Sequence, residues 1–241
     1  MADEEFRHPR LAAVHDLLEP DRGDLLPYRD LALGLGAERV LDIGCGTGCF
    51  ALLLADHGLD VVGVDPAEAS VEVAERRPGA DRVRWIRGDV TALPPLRVDL
   101  VTMTANVAQA IAAPEAWRRT LRGAHDALRP GGHLVFETRD PAARAWETWN
   151  RAATHRVVDL PDVGAVEYWV DLLAVDGPLV TFRWTYLFAA NGQRLTSEST
   201  LRFRERPEVQ ADLTAQGFRL LDVRDAPDRP GRELVFLARQ A

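Results

Sequence analysis

The sequence predicts an α/β fold of three layers, built on a mostly parallel sheet whose last strand is antiparallel, with a three-stranded antiparallel insert. Short apolar runs alternate with segments of helical periodicity across residues 39–140, which is the pattern of parallel strands joined by helices. Between residues 166 and 203, apolar and polar residues alternate along three runs, which predicts antiparallel strands. A length of 241 residues is enough for one decorated domain with a full core.

The elements divide the chain, in order, into four segments. Near the start, Leu11, Val14 and Leu18 share one helical face, so this region is predicted to form helices. The predicted segments are N-terminal helices at residues 1–38, a ligand-binding core at 39–140, a helix with the antiparallel insert at 141–206, and a helix with a strand pair that completes the core at 207–241. The insert either covers a ligand cleft or forms the surface of a homodimer.

Composition and charge narrow the function classes. The chain carries 29 basic and 37 acidic residues, for a formal net charge of −8, and its arginines are scattered, which disfavours nucleic acid as a partner. Cys45 and Cys49 are the only cysteines, and no Cys/His cluster accompanies them, so we expect neither a disulfide framework nor a metal site. The start of the chain lacks a signal-peptide pattern, and no run reaches the roughly 18 apolar residues of a membrane helix. We therefore expect a cytoplasmic protein without a membrane partner.

The rest of the predicted core is arranged around a glycine turn. Residues 40–48 read V-L-D-I-G-C-G-T-G, an apolar run followed by three glycines at alternate positions. The apolar run suits a strand buried on both faces, and the glycines allow positive φ and close approach of the backbone to a ligand. The dinucleotide fingerprint G-x-G-x-x-G would need glycine at position 49, where Cys49 stands. The pattern D-x-G-x-G-x-G instead resembles the first motif of class I S-adenosylmethionine-dependent methyltransferases.

Three further features follow in the order that this family shows. The second apolar strand ends in Asp65, at the place of a carboxylate that accepts hydrogen bonds from both ribose hydroxyls. A Gly-Asp pair at Asp89, followed by Val90, is similar to the adenine-binding corner of the family. The proline-glycine stop at residues 130–132 is also typical. The resemblance covers residues 39–140 closely and residues 207–241 in outline.

This resemblance implies a Rossmann-like methyltransferase sheet that binds S-adenosylmethionine and releases S-adenosylhomocysteine. It places the cofactor against the glycine turn and against the ends of the next three strands, and it implies that the helices of residues 1–38 form a lid over the site. The residues that it assigns to the cofactor site are Asp42, Gly44, Cys45, Gly46, Gly48, Asp65, Pro66, Asp89, Val90 and Thr104.

Residues that follow the fourth and fifth strands are the candidates for the acceptor side. Ligands of open α/β sheets bind outside the carboxyl ends of the strands, so Asn106 and Arg139 are expected near the transferred methyl group. The Asn106 amide can donate and accept hydrogen bonds, and Arg139 can bind an anionic group; a turn residue and a surface residue are the competing interpretations. Of the six histidines, His15 on the lid and His155 before the insert are the candidates for a general base. Catalysis by proximity alone is the alternative to a base.

The sequence therefore predicts a methyltransferase that acts on nitrogen or oxygen of a small molecule by in-line displacement. Two other functions stay open at this point. One is an NAD-dependent reductase, against which the missing glycine and the absence of a Tyr-x-x-x-Lys pair count. The other is a methyltransferase-like module that binds the cofactor without catalysis.

Overall fold

A seven-stranded sheet forms the core of the computed structural model, which describes residues 3–241. Its strands in chain order are β1 Arg39–Ile43, β2 Asp60–Asp65, β3 Val83–Arg87, β4 Val98–Met103, β5 Leu128–Arg139, β10 Phe218–Asp225 and β11 Glu233–Gln240. Across the sheet the order is β3-β2-β1-β4-β5-β11-β10. Strand β11 alone runs opposite to the other six strands. This confirms the prediction of a mostly parallel sheet with an antiparallel last strand.

Helices cover both faces of this sheet, which explains why its central strands are apolar on both sides. The helices are α1 Glu4–Arg7, α2 Pro9–Leu18, α3 Leu26–Gly34, α4 Cys49–Asp56, α5 Glu68–Glu75, α6 Val107–Ala110, α7 Pro114–Ala127, α8 Arg151–Thr154 and α9 Arg206–Ala215. On one face, Trp117 and Leu121 of α7 pack with Phe136 of β5. On the other face, Phe50 of α4 and Tyr28 of α3 form a second apolar cluster. Every residue of β4 is buried between these two layers.

Within residues 3–241, no helix combines the length and the apolarity that crossing a membrane requires.

The insert is an antiparallel sheet with one strand more than the three that the sequence predicts. Its strands, in the order in which they pair, are β6 Arg156–Leu160, β7 Gly164–Asp176, β8 Leu179–Phe188 and β9 Gln193–Arg202. The additional strand, β6, is a short edge strand that is largely exposed, so its sequence lacks the alternation that marks a strand with one buried face. The hairpin predicted at Asn191-Gly192 is present between β8 and β9, where Gly192 has a φ of 68°.

The segment before the insert is not the continuous helix that its sequence predicts. It forms 3-10 turns at Pro141–Ala143 and Ala145–Thr148, followed by the short α8. Arg144, between the two turns, has a φ of 45°, which a right-handed helix does not permit. The Asn150 side chain then accepts a hydrogen bond from the Ala153 N–H and begins α8 as a new helix.

Helix α2 contacts the second sheet on one side and the helical layer of the main sheet on the other. Its apolar side, with Leu11 and Val14, packs against Tyr168 and Phe188 of the second sheet. On its other side, the Asp16 carboxylate pairs with Arg77 and accepts a hydrogen bond of 3.3 Å from the Cys49 thiol at the start of α4. The second sheet is thereby connected through α2 to the helix that follows the glycine turn.

Candidate active site

The glycine turn between β1 and α4 leaves open space on one side. Gly44, Gly46 and Gly48 have φ angles of 75°, 52° and 87°, which L side chains rarely adopt. A Cβ on Gly44 would lie 2.5 Å from a methyl group of Val107, and one on Gly48 would lie 2.7 Å from the Trp85 ring, so packing requires glycine at both positions. A Cβ on Gly46 would meet no atom within 4 Å. Gly46 therefore borders a space that a ligand can occupy.

The Asp65 carboxylate, at the end of β2, is fixed beside that space. Its two oxygens accept hydrogen bonds from the N–H groups of Gly46, at 2.9 Å, and Ala67, at 2.7 Å. Burial raises the pKa of Asp65 above its ordinary value, although these two backbone hydrogen bonds oppose the change. Each carboxylate oxygen can accept a second hydrogen bond, so Asp65 can still bind a pair of hydroxyl groups, as a ribose presents.

Asp42 lies under the turn and contacts the protein rather than the open space. Its carboxylate is buried in the sheet and accepts a hydrogen bond of 2.9 Å from the Thr102 hydroxyl on the neighbouring strand β4. Burial raises the pKa of Asp42 to about 7 against the opposing effect of the Thr102 hydrogen bond, and the nearby charge of Asp65 adds a smaller increase. The Asp42 side chain therefore connects β1 to β4 two residues before Gly44.

The remaining residues assigned to the cofactor occupy the same edge of the sheet. Asp89, which follows β3, is exposed, and its hydrogen bonds from the Thr91 hydroxyl and N–H keep its pKa below the ordinary value. Val90 and Cys45 are buried, Pro66 is exposed beside Asp65, and Thr104 is buried after β4. Because β1, β2 and β3 are parallel neighbours, their carboxyl ends and these residues lie side by side. Hydrogen-bond donors and acceptors therefore form a row along this edge of the sheet.

A second group of polar side chains occupies the carboxyl ends of β4 and β5, where β11 begins. Ala105 and Asn106 both have positive φ, 54° and 61°, which is uncommon for residues other than glycine. The Asn106 N–H donates to the Glu137 carboxylate at 3.1 Å, and its side-chain amide donates to Glu233 at 3.2 Å. Glu137 and Glu233 are both buried. The loop after β4 is thus fixed by two acids from neighbouring strands.

Arg139 is engaged within this group. Its backbone N–H and its guanidinium donate to the Gln109 side-chain oxygen at 3.2 and 3.3 Å, and the guanidinium is 3.7 Å from Glu233. Its guanidinium also lies over the Trp149 ring, 5.8 Å from the ring centre. Burial lowers the pKa of Arg139 from its ordinary value. The Arg139 side chain is therefore held by contacts with Gln109, Glu233 and Trp149.

Comparisons with known proteins identify a domain within the chain. A family model described as a methyltransferase domain matches residues 40–132. Residues 40–132 therefore form a methyltransferase domain. A cypemycin N-terminal methyltransferase from a Streptomyces species is 33% identical over 130 residues, which are 54% of this chain and 53% of that protein. The chain thus spans about half the length of such curated relatives.

Solved structures of low sequence identity share the fold of nearly the whole chain. A S-adenosylmethionine-dependent methyltransferase from Clostridium acetobutylicum superposes with a TM-score of 0.75 at 16% identity, over 96% of this chain and 98% of that one. An amino pentose methyltransferase from Micromonospora echinaspora, solved with S-adenosylmethionine bound, superposes with a TM-score of 0.73 at 22% identity, over 95% and 97%. The predicted Rossmann-like fold is therefore confirmed, and the match over residues 40–132 agrees with the predicted methyltransferase family.

The two candidate histidines contact different groups of the protein. His15 of α2 has its Nδ1 atom 3.4 Å from the Glu5 carboxylate, and its ring meets the Phe6 ring edge to face. Burial lowers the pKa of His15, but the contact with Glu5 outweighs burial, so the pKa is raised overall. Glu5 also accepts a hydrogen bond of 2.9 Å from the Tyr186 hydroxyl. His15 therefore belongs to a polar contact between the N-terminal helices and the second sheet.

His155 lies at the end of α8, with its Nε2 atom 3.0 Å from the Glu167 carboxylate and its ring beside Trp169. Glu167 and Trp169 alternate along β7 with Tyr168, which packs against α2. Because successive side chains of a strand point to opposite faces, His155 lies on the face of the second sheet that is turned away from α2.

Sequence reasoning missed three residues of this region. Glu137 is the single acid within the apolar run of β5, and that isolated charge is the signal that could have revealed it. Glu233 begins β11 and gives no such signal, because strand ends are commonly polar. Arg204, buried after β9, donates to the carbonyls of Ala108 at 2.8 Å and Ile111 at 2.6 Å, residues 96 and 93 positions away in the sequence. It thereby holds α6 in place.

Among residues 3–241, no three or more His, Cys, Asp or Glu side chains are grouped as a metal site.

Proposed function

We propose that the protein transfers the methyl group of S-adenosylmethionine to a small molecule bound between the carboxyl edge of the main sheet and the second sheet. The observation that carries this proposal is the open space at Gly46 with the buried carboxylate of Asp65 beside it. The matches to methyltransferases support the reaction type, and they do not favour a reductase. When bound, the cofactor supplies a methyl group activated by a sulfonium sulfur, so the protein has to orient the acceptor and exclude water.

We assign the cofactor to the row of residues from the glycine turn to Asp89. In this proposal Asp65 accepts hydrogen bonds from the ribose hydroxyls, and the exposed Asp89 carboxylate accepts from the adenine amino group while the Val90 N–H donates to the ring. Asp42 holds β1 against β4 and so keeps the turn in its conformation. The acceptor then lies toward Asn106 and Arg139, at the ends of the next strands.

A small acceptor suits the covering elements. The aromatic face of the second sheet, which carries Tyr168, Trp184 and Tyr186, packs against α2, and α2 in turn contacts the start of α4 beside the glycine turn. A structurally similar protein is described as acting on an amino pentose, which is a small molecule. We therefore assign residues 1–38 as the lid and residues 141–206 as the substrate cover.

Turnover of labelled cofactor tests the function. We expect purified protein, incubated with methyl-labelled S-adenosylmethionine and a panel of small amines and hydroxyl compounds, to place label in an acceptor product and to form one S-adenosylhomocysteine for each methyl transferred. Mass spectrometry of the products is the measurement, and a Gly46→Val variant is the control. Tight cofactor binding without transfer to any member of a broad panel would make the protein a silent binding module instead.

Histidine variants test whether a base on the lid is used. We expect His15→Ala and His155→Ala to keep turnover within about tenfold of wild type, because His15 is held by Glu5 and His155 lies on the far face of the second sheet. The measurement is the pH profile of kcat at saturating cofactor for both variants. A loss of roughly a hundredfold in His15→Ala alone, with loss of the acidic limb, would identify His15 as the general base.

A further inference from the structure

Glu137 occupies a position from which it can reach a bound acceptor. It lies near the end of β5 at the carboxyl edge of the sheet, and β5 is separated from β1, the strand of the glycine turn, only by β4. The residue is 5% exposed. Among the described residues, the one hydrogen bond to its carboxylate comes from the Asn106 N–H. No arginine within residues 3–241 forms an ion pair with it, so nothing in that part of the chain directly neutralises the charge of Glu137.

The negative charge of Glu233, which lies on the neighbouring strand β11, is balanced by nearby arginines. Its carboxylate is 2.8 Å from the Arg229 guanidinium, 3.7 Å from that of Arg139 and 3.2 Å from the Asn106 amide nitrogen. The charges that act on Glu137 are Glu233, Asp228, Arg229 and Arg139, two of each sign. Burial and the charge of Glu233 raise the pKa of Glu137 to about 8. A cationic ligand group would complete the ion pairing of this cluster.

Two amides beside Glu137 also lack part of their hydrogen bonding. Asn106 is 6% exposed and Gln109 is fully buried, yet the Asn106 Oδ1 and the Gln109 Nε2 atoms have no partner among residues 3–241. The opposite end of each amide is bonded to Glu233 or to Arg139, so both side chains are held within the same cluster. Buried polar groups are almost always satisfied, so an unpartnered acceptor beside an uncompensated acid indicates a missing donor. The backbone next to these amides is also unusual, since Ala105 and Asn106 both have positive φ. Such uncommon backbone conformations are often found at binding sites.

We infer that Glu137 and Asn106 form the subsite for an amine nitrogen of the methyl acceptor, and that Glu137 takes up the proton which this nitrogen must lose. This inference rests on the proposed methyltransferase function and names its substrate class. A protonated amine supplies both a positive charge for the carboxylate and N–H donors for the Asn106 Oδ1 atom. A hydroxyl group supplies a hydrogen-bond donor for the Asn106 Oδ1 atom but no positive charge for the Glu137 carboxylate. It therefore meets only one of the two requirements of the subsite.

The proton transfer accounts for all atoms. Glu137 accepts one proton from the bound ammonium group, which frees the nitrogen lone pair. That lone pair forms the new N–C bond, and the C–S bond to the methyl group breaks with its electron pair on sulfur. The product is a methylated ammonium group, and the proton on Glu137 passes to solvent when the product leaves. A carboxyl group whose pKa is about 8 can exchange a proton with an amine near neutral pH.

Binding of a matched pair of probes to the S-adenosylhomocysteine complex tests the subsite without turnover. We expect cyclohexylamine to bind wild type at least tenfold more tightly than cyclohexanol, measured by calorimetry at neutral pH. In buffers of different ionisation enthalpy, amine binding should release most of one proton, because Glu137 has to ionise to pair with the ammonium group. Glu137→Gln should lose both the preference and the proton release and keep its affinity for S-adenosylhomocysteine.

Two further variants keep the interpretation unambiguous. Glu115→Gln changes the same charge at an exposed position in the first turn of α7 and should behave as wild type. Asn106→Gly suits the positive φ, removes Oδ1 and should weaken the amine preference. Equal binding of the two probes to wild type, or a preference that survives in Glu137→Gln, overturns the subsite. Absence of S-adenosylhomocysteine binding in wild type would instead count against the proposed function itself.

Discussion

Gly46→Val should abolish measurable cofactor binding, with a loss of at least a hundredfold in affinity for S-adenosylhomocysteine. Gly46 has a φ of 52°, and its missing side chain leaves the space that we assign to the cofactor. A branched side chain would enter that space, and the strain of a β-branched residue at positive φ would displace the N–H that binds Asp65. Asp65→Ala, which removes the charged acceptor alone, should cost about 2 to 4 kcal/mol of binding free energy. Titration calorimetry measures both losses.

Gly58→Val is the matched control for this experiment. Gly58 has a φ of 84°, and a Cβ added to it would meet no atom within 4 Å, so the substitution carries similar backbone strain and similar open space. It lies in the turn after α4, at the opposite end of that helix from the glycine turn. We expect Gly58→Val to lower stability and to bind cofactor normally. If Gly46→Val also bound normally, the cofactor would have to lie elsewhere.

Arg204→Ala should lower the free energy of unfolding by about 3 to 5 kcal/mol, because two carbonyls of the α6 region lose their charged donor. Burial lowers the pKa of Arg204 to about 10, so the side chain is still cationic at neutral pH, and it lies 4.5 Å from the centre of the Trp117 ring. The substitution therefore removes two charge-assisted hydrogen bonds, a cation–π contact and the packing of a long side chain. Chemical denaturation measures the change.

Arg202→Ala is the control for Arg204→Ala. Arg202 pairs with Glu208 at 3.0 Å near the surface, and such a pair contributes about 1 kcal/mol or less. Since Arg204 holds α6 in place, its loss should also displace Asn106 and lower turnover of the protein that still folds. Equal unfolding midpoints for the two variants would show that the carbonyls of α6 find other donors.

The cofactor side of the site could be predicted from the sequence because its determinants are local. A glycine turn must follow its strand directly, and Asp65 ends the next strand, so spacing along the chain specifies both positions. The acceptor side depends on contacts between distant segments. Glu137 and Glu233 meet only because β11 pairs with β5, and Arg204 finds its partners after the chain has crossed from the second sheet to the core.

Local patterns also misled in two places. The sequence before the insert has helical composition, but Arg144 adopts a left-handed conformation and Asn150 begins a new helix, so tertiary context overrides propensity there. Strand β6 has too few buried side chains to show a period. Its pairing with β7 is set by backbone hydrogen bonds, which leave no trace in composition.

The position of β11 constrains the order in which the protein can assemble on the ribosome. β10 leaves the ribosome first, yet its only partner in the sheet is β11, which inserts between β10 and β5. Until residues 233–240 are available, the nascent chain exposes the open edge of β5, and such an edge is prone to pair with other chains. Glu137 lies on that edge and meets Glu233 only when β11 docks. A nascent chain halted before β11 should therefore bind chaperones that recognise unpaired strands, and its acidic pair forms at the last step of folding.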